Sequence, residues 1–95
     1  MDRYLLHRFK VHGRVQGVGF RRFVLKLGQQ QNIGGWVRNN VDGTVSVEAC
    51  GKEDEVKNFV EMVRRGSFFS RVDEIEDLLR ENVDQELERV FEIRF

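Results

Sequence analysis

Proline is absent from the 95 residues, cysteine occurs once and histidine twice. Without proline no X-Pro isomerisation slows folding, and turns fall to glycine, asparagine and aspartate. The lone Cys50 can form no internal disulfide, and His7 and His12 have no second pair at zinc-site spacing. A metal-free, cytoplasmic protein is therefore expected. Cys50 closes the run Ser46-Val47-Glu48-Ala49-Cys50 with no histidine beside it, so it reads as a small strand residue rather than a nucleophile. No apolar run approaches the roughly 20 residues of a membrane span, and Met1-Asp2-Arg3-Tyr4 is no secretory leader, so no membrane partner is expected. Net charge is lacking as well, since 16 Lys and Arg face 16 Asp and Glu.

What is present is a folded composition, 40% hydrophobic and 34% charged, in a length that suits one domain spanning residues 1–95. The zero charge hides an asymmetry. Residues 1–40 carry eight basic residues and one acid, Asp2, a balance of +7, and residues 41–95 carry −7. A protein basic all over is excluded, but a local anion site in the first half is not.

Leu5, His7, Phe9 and Val11 alternate with Leu6, Arg8 and Lys10, which predicts a strand. Phe20, Phe23, Val24 and Leu27 have the spacing of one helical face, weakened from Gly28 onward. Trp36-Val37-Arg38 and Thr44 to Glu48 flank Asn39-Asn40-Val41-Asp42-Gly43, a hairpin with Asp-Gly at its tip. Val56, Phe59, Val60 and Val63 predict a second helix, with Glu53, Asp54 and Glu55 in its first turn, Arg64 and Arg65 in its last and Gly66 as its stop. Val72 to Leu79 and Val90 to Phe95 supply two further extended runs. The order predicts an α+β fold, the ferredoxin-like split βαββαβ sandwich, with an antiparallel sheet and two helices on one face.

The stretch that carries chemistry is Gly13-Arg14-Val15-Gln16-Gly17-Val18-Gly19-Phe20-Arg21, between the first strand and the first helix. Gly17 and Gly19 allow positive φ, so successive N–H groups can line one concavity at a helix start. Arg21 can close a planar fork on phosphate or carboxylate oxygens. No Gly-Lys-Ser/Thr follows, so this is no Walker loop, and Arg22 stands where a dinucleotide fingerprint needs its third glycine. From these residues alone an anion cradle and a plain strand-to-helix turn both stand open.

Gly13-x-Val15-Gln16-Gly17-Val18-x-Phe20-Arg21 resembles the first signature of the acylphosphatases. Gly35-Trp36-Val37-Arg38-Asn39 with Asp42-Gly43-Thr44-Val45 resembles their second, and Val90 to Phe95 their closing strand. The spacing fits, and the likeness covers nearly the whole chain. The resemblance implies the split βαββαβ fold and hydrolysis of the carboxyl–phosphate anhydride of acyl phosphates, without metal or cofactor. It implies that Arg21 and Asn39 are catalytic and that the backbone of Arg14, Val15, Gln16, Gly17, Val18 and Gly19 binds the substrate's phosphate. A monomer acting on a small-molecule acyl phosphate, with no nucleic-acid partner, is expected. One stretch departs from the family: Ser67-Phe68-Phe69-Ser70 stands where relatives often carry prolines, and its apolar pair is expected to pack rather than to act.

The dull alternatives are specific. Asn39 can serve only the hairpin turn, Arg22 and Arg38 can be solvated, Trp36 can be sheet packing, and His12 is an alternative base. On the same fold, a silent anion-sensing module or an RNA-binding module is the competing function. The strand aromatics Phe9, Trp36, Phe91 and Phe95 do not form the base-stacking pattern that an RNA binder needs.

Overall fold

The computed structural model describes residues 3–84 and 89–95. Met1 and Asp2, on which part of the leader reading rests, and residues 85–88 lie outside the described residues. The elements are β1 (Tyr4–Arg14), α1 (Phe20–Gln30), β2 (Gly34–Asn39), β3 (Val45–Lys52), α2 (Glu53–Arg65), β4 (Arg71–Val83) and β5 (Phe91–Arg94). They form one five-stranded sheet in the order β4-β1-β3-β2-β5, with both helices packed on it.

Alternation places the core. Leu5, His7, Phe9 and Val11 of β1 are buried, and in β3 Val47 stands opposite Phe9 and Val45 opposite Val11. The helices meet them with Phe20, Val24 and Leu27 from α1 and Val56, Phe59, Val60 and Val63 from α2, the faces their spacing predicts. Burying such side chains contributes roughly 1.5–3 kcal/mol each. Among the described residues no helix is long and apolar enough to cross a membrane.

Three features depart from the sequence-based expectation. The sheet is mixed rather than wholly antiparallel, because β5 runs parallel to β2, with Val37 opposite Ile93. Gly28 does not weaken α1 but lies buried within it. A Cβ there would sit 2.5 Å from the Phe91 ring, so the missing side chain lets the helix close on β5. β4 is longer than Val72–Leu79, because it pairs along all of β1, and two register shifts break its alternation.

Trp36 packs on the sheet surface opposite the helices. It is buried there beneath the guanidinium groups of Arg94, Arg38 and Arg8, which lie 5.2, 5.4 and 5.9 Å from its ring centroid. Arg8 also donates to Glu48 at 2.7 Å.

Candidate active site

The register brings one set of chain segments to the same end of the sheet. Arg14 ends β1 opposite Arg71, the start of β4, and Asn39 ends β2 opposite Val45, the start of β3. At this end the loop from Val15 to Gly19 leads into α1. Gly17 and Gly19 have φ of +74° and +76°, and a Cβ at either would meet nothing within 4 Å. Glycine is thus required there for backbone conformation rather than for space, the left-handed region costing other residues roughly 1–2 kcal/mol. Gly19 is the N-cap of α1, with no side chain capping the first turn and no acid within it. The positive end of the helix and its first N–H groups are left for an anion.

The loop, α1, β2 and β5 enclose a depression of about 310 Å³. Val15, Gly17 and Gly19 line one side, Arg21 and Arg22 another, and Asn39, Ile93 and Phe95 the wall of the sheet. Arg21 is half-buried, lies 5.1 Å over the Phe95 ring and has no carboxylate partner among the described residues. A cation held by an aromatic face keeps its full charge for a ligand. The Oδ1 atom of Asn39 is buried and accepts no hydrogen bond among the described residues. Leaving such an acceptor unmatched costs about 1–3 kcal/mol, which a donor delivered to the depression would recover.

The next residues brace this arrangement. The amide of Gln16 donates to the carbonyl oxygens of Asn40 (2.8 Å) and Thr44 (2.9 Å), tying the glycine loop to the β2–β3 hairpin. Asn40 donates to the hydroxyls of Thr44 (2.9 Å) and Ser46 (2.8 Å). Asp42 accepts from the Thr44 hydroxyl (2.5 Å) and backbone N–H (3.0 Å), and these bonds hold its carboxyl below the usual carboxylate value. These bonds brace the hairpin immediately after Asn39.

Of the residues singled out in the sequence, Val15, Gly17, Gly19, Arg21 and Asn39 meet in the depression. The other three of the expected cradle do not line it. Arg14 is exposed at the end of β1, Gln16 turns its side chain to the hairpin, and Val18 packs against the core. Arg22, read as solvated, does line the depression. Ile93 and Phe95 were not singled out for the site, although their alternation with Glu92 and Arg94 places them on one face.

His12 is elsewhere, bonded to Glu76 at 2.8 Å, and buried His7 bonds Asp77 at 2.8 Å. Cys50 is buried in β3, where burial first and then the Glu48 charge push its thiol above the ordinary value. Phe68 and Phe69 do not pack inward: they are 93% and 71% exposed and touch each other edge to face. Among the described residues no cluster of three or more His, Cys, Asp or Glu side chains is placed to hold a metal ion.

Comparison with known proteins points to one family. The family model described as Acylphosphatase matches residues 7–93. An acylphosphatase of Bacillus licheniformis is 46% identical over 71 residues, 75% of this chain and 79% of the relative. One from Bacillus subtilis is 48% identical over 71 residues, 75% of this chain and 78% of the relative. The crystal structure of acylphosphatase from Bacillus subtilis superposes with a TM-score of 0.83 at 40% identity, covering 96% of this chain and 99% of the other.

Proposed function

The chain belongs to the acylphosphatase family, and on that premise we propose that it hydrolyses acyl phosphates to a carboxylate and inorganic phosphate. The phosphoryl oxygens are held by backbone N–H groups of the loop from Arg14 to Gly19, of which Val15, Gly17 and Gly19 line the depression, and by the guanidinium of Arg21. Asn39 orients water through its Oδ1. The water oxygen attacks phosphorus in line, the bond from phosphorus to the bridging oxygen breaks, and the carboxylate leaves with the electron pair. A carboxylate is a good leaving group, so no general acid is needed. The loose transition state leaves the protein mostly with positioning and charge stabilisation. An amide is too weak a base to take the water's proton, which passes to a phosphoryl oxygen of the substrate.

The observation that carries this reading is the meeting of Arg21, a cation with no carboxylate partner among the described residues, and an unmatched buried acceptor, Asn39 Oδ1, at the mouth of a glycine loop. Residues 1–95 act as one acylphosphatase-like domain. It is a cytoplasmic monomer that takes a small-molecule substrate and needs neither cofactor nor nucleic acid.

The test is hydrolysis of benzoyl phosphate followed by absorbance. Arg21→Ala and Asn39→Ala are each expected to lower the rate by about 10²–10³ with unchanged melting. Near wild-type turnover by either variant removes that residue from the mechanism. A wild-type protein that binds phosphate saturably and releases no product would return the anion-sensing alternative. Turnover is expected to survive exhaustive chelation, and its loss with rescue by a divalent metal would contradict the metal-free reading.

A further inference from the structure

The exposed aromatic pair plays no part in the proposed reaction. Phe68 and Phe69 form the tip of the turn between α2 and β4, with ring centroids 4.9 Å apart at 82°. The turn is a built one. Ser70 Oγ accepts from the Ser67 N–H at 2.7 Å, and the Ser70 N–H donates to the Ser67 carbonyl at 3.2 Å. Two large apolar side chains are thus displayed on a closed turn.

Their surroundings are basic. From Met62 to Val72 the chain carries Arg64, Arg65 and Arg71 and no acid. Arg14 lies beside Arg71 in the sheet. Arg14 and Arg65 are exposed and have no carboxylate partner among the described residues, although Arg64 and Arg71 pair with Glu61 and Asp73. Val41 and Phe95, also exposed, belong to the same end of the sheet.

We propose that this tip is a peripheral docking site for an anionic lipid surface, with the Phe68–Phe69 pair entering the headgroup boundary and the arginines meeting lipid phosphates and carboxylates. Protruding rings amid cations match a deformable, apolar, negatively charged layer. A second copy would set arginines against arginines. RNA would need parallel ring faces for successive bases, whereas these rings stand nearly perpendicular. This replaces the sequence-based expectation of no membrane partner, and it is independent of the proposed hydrolysis.

The test is co-sedimentation of the full chain with phosphatidylcholine vesicles, with and without phosphatidylserine. Binding is expected only with phosphatidylserine and should weaken with salt. Phe68→Ser/Phe69→Ser should lower the partition at least about tenfold, while benzoyl phosphate turnover in solution and circular dichroism stay unchanged. Arg64→Ser/Arg65→Ser should weaken binding with the aromatic pair intact. No partition into anionic vesicles, or partition equal in the double phenylalanine variant, would overturn the proposal. Salt-sensitive binding to RNA but not to vesicles would reassign the tip to nucleic acid, and a concentration-dependent dimer lost in the phenylalanine variant would reassign it to self-association.

Discussion

Asp42 shows how one side chain can tune the frame of a site it does not enter. Its carboxyl is held below its ordinary value of 3.8 by the Thr44 hydroxyl, then by the Thr44 N–H, with smaller help from Lys10 and His12. A depressed folded value means that the stabilisation is complete above the unfolded value and is lost as pH falls through the folded one. Urea unfolding of wild type and Asp42→Asn should therefore differ near neutrality and converge below 3.8. A gap that widens in acid would contradict the assignment. Cys50 gives a second expectation at this scale. Its raised thiol value and burial predict slow alkylation in the folded protein and fast alkylation in urea, with Cys50→Ser retaining activity. Rapid modification with parallel loss of turnover would revive a thiol mechanism.

Between elements, the decisive contact is the pair of hydrogen bonds from Gln16 to the hairpin carbonyls. Gln16→Ala removes one of two donors from each carbonyl oxygen, which keep the Gly43 and Asn40 N–H groups, at a cost of about 0.5–1.5 kcal/mol per bond, and frees the glycine loop from the strand that carries Asn39. A lower unfolding midpoint together with a lower kcat is expected, whereas a change in KM alone would mean that the tether does not align the two. This contact also marks what the sequence could not display. Gly17, Gly19 and Arg21 are legible because they are neighbours in the chain, and the helices and β1 because their apolar periods are clean. The Gln16 tether spans 24 and 28 residues, and the Ile93 and Phe95 wall comes from a strand far along the chain. β4 was legible only in part, since an edge strand exposed along most of its length and broken by register shifts shows no steady alternation. The parallel β2–β5 pair, likewise, is a matter of direction that local alternation does not encode.

For the molecule as a whole, the charge split by sequence halves becomes a split between ends. The β and α termini around the depression carry Arg14, Arg21, Arg22, Arg38, Arg64, Arg65 and Arg71 against Asp42 and Asp73. Three of those arginines come from the half of the sequence that is acidic in sum. The opposite end carries Glu53, Asp54, Glu55, Glu81 and Asp84 against Arg3, Lys52 and Arg89. The two ends therefore differ in sign of charge. This difference should draw a dianion to the end that holds the depression, within a screening distance of about 8 Å at physiological salt. Raising ionic strength is expected to lower kcat/KM and leave kcat nearly unchanged. An equal fall in kcat would place the salt effect in chemistry instead of capture.

The parallel seat of β5 beside β2 bears on how the protein comes into being. Val37 cannot find Ile93 until more than fifty intervening residues have been made, and closing so long a loop is slow compared with forming the neighbouring hairpin. A nascent chain can build the glycine loop, Arg21 and Asn39 while one wall of the depression is still within the ribosome. The depression gains its Ile93 and Phe95 wall only after β5 has been made and paired with β2.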